Sequence, residues 1–223
     1  MVLTAEHLAR RYFRLGRGSN VFYAVRDASL SLPPGSLTVL TGRSGSGKST
    51  LLHMLAGLLE PTEGRVALDG EDLYALDDAA RSRLRSRHIG VIPQGQTGLK
   101  SLTVLENVRL PGLLYGEACA EEQALALLDR VGAAHLAKAR PDELSGGELR
   151  RMAVARALAM GPGLLLADEP NGGLDDENTR RVLSLLREQA DGGAAVLLVT
   201  HEPEAASYAD HRFHMDGGSL ITE

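Results

Sequence analysis

Lysine is almost absent from this chain: its 223 residues hold only Lys48, Lys100 and Lys138, with no tryptophan and a single cysteine. One thiol, Cys119, cannot close an internal disulfide, which excludes a disulfide-stapled scaffold and fits a reducing compartment. Glu117 and Glu121 stand near it, so nothing local favours a reactive thiolate and an inert helix residue is expected. Basic charge is short as well. The net charge is −5 and the pI about 5.8, so the electrostatic footprint of a nucleic-acid binder is missing and no such partner is expected. Long hydrophobic runs are missing too. The apolar stretches, among them Leu164 to Ala167 and Ala194 to Val199, are short, whereas a spanning helix needs about 20 such residues. Residues Met1 to His7 lack the apolar run of a signal peptide. A cytoplasmic chain that neither crosses a membrane nor is exported by itself is expected.

What is there suffices for a substantial core, at 43% apolar and 24% charged residues. The first forty residues pattern as strands: Ala28 to Leu32 alternates, and Ser36 to Thr41 is a second run that enters a glycine loop. Lys48 to Leu59 reads as a buried helix ended by Pro61, and Arg65 to Leu68 as a strand closing at Asp69-Gly70. Asp77 to Arg87 reads as a charged helix and Ile89 to Ile92 as a short strand. From Thr103 to Val131 helical patterns dominate, interrupted at Pro111 and Gly112, and another helix covers about Gly147 to Met160. Then come strand Leu164 to Leu166, helix Thr179 to Gln189, strand Val196 to Val199 and a hairpin around Asp216-Gly217-Gly218. Strands alternating with helices predict an α/β fold with a mainly parallel sheet covered on both faces. The block at about 95–160 reads as a helical subdomain inserted into one domain that occupies 1–223.

Gly42-Arg43-Ser44-Gly45-Ser46-Gly47-Lys48-Ser49-Thr50 matches the Walker A pattern in the strand–loop–helix context the pattern needs. Glycines let consecutive backbone N–H groups turn toward one anion, and the following helix adds its positive end. Lys48 is placed to reach the β- and γ-phosphates of ATP, and the Ser49 hydroxyl to coordinate Mg²⁺. In so lysine-poor a chain, bulk composition does not account for a lysine at this position.

Leu164 to Ala167 is an apolar strand that ends in Asp168 and Glu169, the Walker B arrangement. Asp168 is expected to hold Mg²⁺ opposite Ser49, and Glu169 to act as general base on the attacking water. His201 follows the strand ending at Thr200, at the sheet edge where α/β folds bind ligands, and is expected to contact the γ-phosphate. The other six histidines lack such a position and are expected on the surface or in packing. Gln94 follows Ile92-Pro93 and offers a carbonyl oxygen to Mg²⁺.

Leu144-Ser145-Gly146-Gly147-Glu148 decides between P-loop families. Glycine pairs recur at Gly172, Gly192 and Gly217, so the pair alone says little. The full string resembles the LSGGQ signature of the ABC ATPases, with Glu148 for the commonest Gln and with Arg151 and Arg156-Ala157-Leu158 continuing the family's helix. Walker A, Gln94 of the Q-loop, the signature, Walker B, a D-loop at Leu174-Asp175 and the switch His201 follow in the family's order, over almost the whole chain. The resemblance implies a P-loop NTPase core, an N-terminal antiparallel β-subdomain and a helical subdomain. It also implies a head-to-tail homodimer, in which Ser145, Gly146 and Gly147 of one subunit meet the γ-phosphate held by the other's Walker A. Tyr12 lies where the family stacks an aromatic on adenine, with Phe13 and Tyr23 close by. Two places depart from the family: Asn171 and Gly173 in the segment usually written T-G-[ND]-L-D, and Pro93 where an aromatic is common. Neither removes a catalytic group.

Leu102 to Val108, followed by Leu110-Pro111, is similar to the ABC group that contains the MacB macrolide exporter, the LolD lipoprotein-release ATPase and the FtsE division protein. That similarity implies a subunit that powers a separate integral membrane permease, peripheral on the inner face of the cell membrane. Two other functions fit the same motifs: a division-type ATPase that controls cell-wall hydrolases, and a soluble ABC ATPase without a transport role.

Overall fold

The computed structural model describes residues 1–13, 21–95, 98–116 and 119–222. Residues 14–20 of the expected N-terminal strands, and Glu117 near Cys119, lie outside the described residues. The chain opens with β1 (Leu3–Phe13), β2 (Val21–Leu32), β3 (Ser36–Thr41), α1 (Lys48–Leu55), β4 (Glu63–Leu68) and β5 (Glu71–Asp72). It continues with α2 (Asp78–His88), β6 (Ile89–Ile92), α3 (Val104–Tyr115), α4 (Glu121–Arg130) and α5 (Gly146–Leu158). It closes with β7 (Leu164–Asp168), α6 (Asp176–Asp191), β8 (Ala195–Val199), β9 (His211–Asp216) and β10 (Ser219–Thr222).

Two sheets carry these strands. The first is antiparallel, in the order β2-β1-β4-β5; the second runs β10-β9-β3-β8-β7-β6 and is parallel except for its β10 edge. Alternation along the central strands explains why both faces of the second sheet are covered. Leu165 and Ala167 of β7, with Val196 and Leu198 of β8, join one core together with α3 to α6. Leu164 and Leu166, with Ala195, Leu197 and Val199, join the other core, against α1 and the antiparallel sheet. Every residue of β7 and β8 is buried, and each leucine so placed contributes about 1.5–3 kcal/mol relative to exposure. The α/β architecture with its N-terminal antiparallel sheet is as the sequence predicts.

Three local expectations are corrected. Helix α1 stops at Leu55, short of Leu59, because Gly57 adopts φ 66° and its N–H turns back to the Met54 carbonyl. Helix α3 runs through Pro111 and Gly112 and ends at Gly116, at φ 75°. A proline inside a helix removes one backbone bond; here a capping box at Thr103 and the buried Val104, Asn107 and Val108 hold the helix in place. Cys119 precedes α4 and is buried, with burial pushing its thiol pKa up.

Candidate functional site

Strand register brings the motifs to one edge. Leu40 of β3 and Asp168 of β7 both pair with Val199 of β8. The loop after Thr41, the acids after Ala167 and the residues after Val199 therefore leave the sheet at one level, at its carboxyl edge.

Two glycines of the loop stand where no side chain fits. Gly42 stands at φ 141° and a Cβ there would lie 2.3 Å from the Met215 carbonyl oxygen. At Gly47, φ is 110° and a Cβ would lie 2.1 Å from the Ala24 carbonyl oxygen. Helix α1 then starts with no side-chain cap and no acid in its first turn, which leaves its first N–H groups as donors for an anion. Lys48 Nζ donates to the carbonyls of Gly42 (2.7 Å) and Arg43 (2.9 Å), which holds the ammonium at the loop. A cavity of about 710 Å³ opens here, lined by Gly42, Arg43, Ser44, Gly45, Gly47, Lys48, Ser49 and Thr50. Tyr12, Gln94, Asp168, Glu169 and His201 also stand in its walls. Ser46 is not among the lining residues: its N–H donates to the Arg43 carbonyl and its own carbonyl accepts from Gly218, so it closes the turn.

Asp168 is 2% exposed at the tip of β7. Glu169 adopts φ 49°, a left-handed backbone that costs a non-glycine residue about 1–2 kcal/mol. Two bonds hold it there, from its own N–H to the Val199 carbonyl (2.9 Å) and from the Gly172 N–H to its carbonyl (3.1 Å). Its carboxylate lies 2.9 Å from His201 Nδ1. That hydrogen bond, with the Glu169 charge behind it, lifts the imidazole pKa above its ordinary value. Ser49, Gln94 and Asp168 share the cavity, an all-oxygen donor set with one carboxylate, which suits Mg²⁺ bound largely through substrate phosphates and water. Tyr12 pairs with Phe22 across β1 and β2, and both rings border the cavity. Phe13 is 82% exposed and Tyr23 packs beside Arg26.

Ser145, Gly146 and Gly147 are not brought to this cavity. They line a second one of about 460 Å³ together with Gly173, Leu174 and Asp175. Ser145 caps α5: its Oγ accepts from the Glu148 N–H, while the Glu148 carboxylate accepts from the Ser145 N–H (2.8 Å) and hydroxyl (2.7 Å). Those bonds draw the Glu148 pKa below the usual carboxylate range. Asp175 caps α6, its carboxylate accepting from the Asn178 N–H at 2.8 Å.

Sequence reasoning missed two features. Arg150, buried in α5, lines both cavities, as does Gly172; its charge carries no signal in a helix already rich in arginine. Asn171 is 2% exposed, its Oδ1 lies 3.5 Å from the Thr200 hydroxyl, and its Nδ2 is buried without a partner. The departure noted in the D-loop thus touches the strand end that carries His201.

The family model described as ABC transporter matches residues 25–172. This chain belongs to the ABC transporter family, and it is an ATP hydrolase of the ABC type. It is 42% identical over 224 residues to the lipoprotein-releasing system ATP-binding protein LolD of Pseudomonas syringae pv. tomato, covering 99% of this chain and 97% of that one. The protein of the same name from Xanthomonas axonopodis pv. citri is 43% identical, over 98% and 90% of the two chains. Among solved structures, the dimeric bacterial ABC transporter cassette MJ0796 superimposes with a TM-score of 0.91 at 31% identity, covering 99% and 98%. The same cassette in a dimeric post-hydrolysis state bound to ADP and Pi superimposes equally well.

Proposed function

We propose that this ABC ATPase forms a head-to-tail homodimer on binding Mg-ATP and drives a lipoprotein-releasing permease in the cell membrane. The observation that carries the dimer is the division of labour between the two cavities. One chain presents Lys48, Glu169 and His201 in one cavity and the signature at Ser145 in another, so a second copy completes both sites by two-fold symmetry. The lipoprotein assignment rests on two relatives of that name at 42% and 43% identity over nearly the whole chain. No helix among the described residues is long and apolar enough to cross a membrane, which fits a peripheral subunit on the cytoplasmic face. The helical block at about 95–160 serves as the subdomain that meets the permease. Leu99, Leu113 and Leu114 are exposed there, and Asn107, through bonds to Leu99, Leu102 and Thr103, staples the segment after Gln94 onto α3.

In the proposed reaction the backbone of Gly42 to Thr50 and Lys48 cradle the phosphates, and Tyr12 stacks on the adenine. Ser49, Gln94 and Asp168 would hold Mg²⁺, which would supply neutralising charge to the β- and γ-phosphates. Glu169 accepts a proton from water as the water oxygen bonds to the γ-phosphorus; the bridging P–O bond to the β-phosphate breaks, and ADP and phosphate leave. His201 holds the Glu169 carboxylate in place and faces the γ-phosphate. The backbone strain at Glu169 fits a residue whose aim matters more than its comfort.

Glu169→Gln is the test. It should retain nucleotide affinity, lower turnover by about 10²–10⁴-fold and accumulate an ATP-bound dimer on size-exclusion chromatography. A tagged form should then recover, from detergent-solubilised native membranes with Mg-ATP, a four-span permease with a large extracytoplasmic domain. Wild-type turnover in Glu169→Gln would remove the base assignment, and recovery of soluble proteins alone would remove the permease.

A further inference from the structure

Arg150 is a cation where an aliphatic side chain would pack at lower cost. It is 9% exposed, on a helix whose neighbouring Leu149, Met152 and Ala153 are core residues. Its Nη1 donates to the Pro93 carbonyl at 2.9 Å, the last backbone oxygen before Gln94. Nη2 lies beside Gly172, 3.6 Å from where a Cβ on that residue would stand, and Nε is buried without a partner. Burial holds the guanidinium pKa below its ordinary value, while the charges of Asp168 and Glu169 act in the opposite direction. A buried charge kept in this way, where an apolar residue would do for packing, points to a task other than stability. Its surroundings name the task. From α5, the helix capped by Ser145, one side chain reaches the stem of the Gln94 loop and the backbone of Gly172, in the cavity that Asp168 and Glu169 also line. Its fork of donors suits several such neighbours at once.

We propose that Arg150 is a positioning residue for ATP hydrolysis, tying the Gln94 loop stem to α5 and to the Gly172 backbone that follows Asp168 and Glu169, so that the two acids stay aimed. Any displacement of α5 relative to the sheet then reaches Gln94 and both acids through one group. The inference rests on the roles given above to Asp168, Glu169 and Gln94.

The test uses the full chain with Mg-ATP, in single-turnover hydrolysis with enzyme in excess at concentrations that saturate dimerisation. Affinity for a fluorescent ATP analogue and the melting temperature are read in parallel. Arg150→Met should fold, since apolar replacement of a buried charge is often neutral or stabilising. Its hydrolysis rate should fall at least about tenfold while nucleotide affinity stays within about twofold, the pattern of an interaction made in the transition state. Arg150→Lys, with charge and a donor, should recover most of the rate, and Arg150→Gln, with a donor alone, much less. A wild-type rate in Arg150→Met overturns the proposal. So does a parallel loss of rate, affinity and melting temperature that lysine does not rescue, which would make Arg150 structural only. Glu169→Gln run alongside separates the two layers: if it stays active, the underlying role of Glu169 fails, whereas an inactive Glu169→Gln beside an active Arg150→Met removes only the role of Arg150.

Discussion

Helices α1 and α5 both begin beside glycines at the edge of a cavity, yet their first turns are finished differently. At α1 the residue before the helix is Gly47, no side chain caps the N–H groups, and the first turn carries no acid. At α5 the residue before the helix is Ser145, and a reciprocal capping box with Glu148 occupies two of the donors. An uncapped helix end leaves its needs to a ligand, and Gly42 and Gly47 leave no space for anything but backbone around it. A capped end is satisfied within its own chain and offers only what remains of its positive dipole to a visitor. The first is a site that is complete except for its anion. In the proposed head-to-tail dimer, the second is a docking surface whose shape its own chain already holds.

The widest test of that contrast sets Gly47→Ala against Gly147→Ala. In the first, a Cβ 2.1 Å from the Ala24 carbonyl oxygen at φ 110° forces the loop apart, and nucleotide affinity should fall at least about a hundredfold, by the mechanism of strained backbone. In the second, the nearest atom is Leu174 Cδ2 at 3.2 Å, the end of a flexible side chain. Nucleotide binding to the single chain should stay within about twofold, while turnover, which in the proposed dimer needs the second cavity, should be lost. Fluorescent-nucleotide titration and ATPase assays read both; equal binding by the two variants would erase the distinction.

Lys48→Ala comes next. Losing one charge-assisted bond to phosphate is worth about 1.5–3 kcal/mol, so affinity for Mg-ATP should drop about ten- to a hundredfold with the fold intact by circular dichroism. A smaller effect belongs to Glu148→Gln. The amide keeps the reach of the capping box but removes a negative charge beside the place where the partner's γ-phosphate would dock. Dimerisation in the Glu169→Gln background should tighten about two- to fivefold, the scale of one charge at a helix end, by analytical ultracentrifugation. Weaker dimerisation would mean that no anion docks there.

The smallest effect is the titration of His201. Its side chain is 70% exposed, so melting curves will not register it, but ring resonances in NMR will. The hydrogen bond that its ring N–H donates to the Glu169 carboxylate raises its pKa in the folded state. The imidazolium–carboxylate contact is therefore fully formed below the ordinary histidine value, about 6.5, and is lost as pH rises through the raised folded value. The midpoint should fall back toward the ordinary value in Glu169→Gln. An unchanged midpoint would mean that the pair does not form in solution.

Much of the nucleotide cavity was legible in sequence because its chemistry is contiguous: Gly42 to Thr50 is one backbone turn, and Asp168-Glu169 ends one apolar strand. Helix ends were less legible. Gly57 stops α1 before Pro61 could, and packing of Val104, Asn107 and Val108 carries α3 past Pro111, so a local breaker is overruled where burial outweighs one missing bond. Arg150 was not legible at all. Its contact with Pro93 joins residues 57 apart, and nothing in the run of arginines along α5 marks the one that turns inward.

The sequence by itself determined the elements of chemistry, because a phosphate loop, a strand-end acid pair and a capped signature helix are set by neighbours along the chain. Only the tertiary structure decided their grouping. Register at Val199 brings Lys48, Glu169 and His201 into one cavity and leaves Ser145 to Gly147 in another. It also decided that Arg150 stands between them. The physical reason is that side-chain direction, burial and strand pairing depend on partners far away in sequence, which no local pattern records.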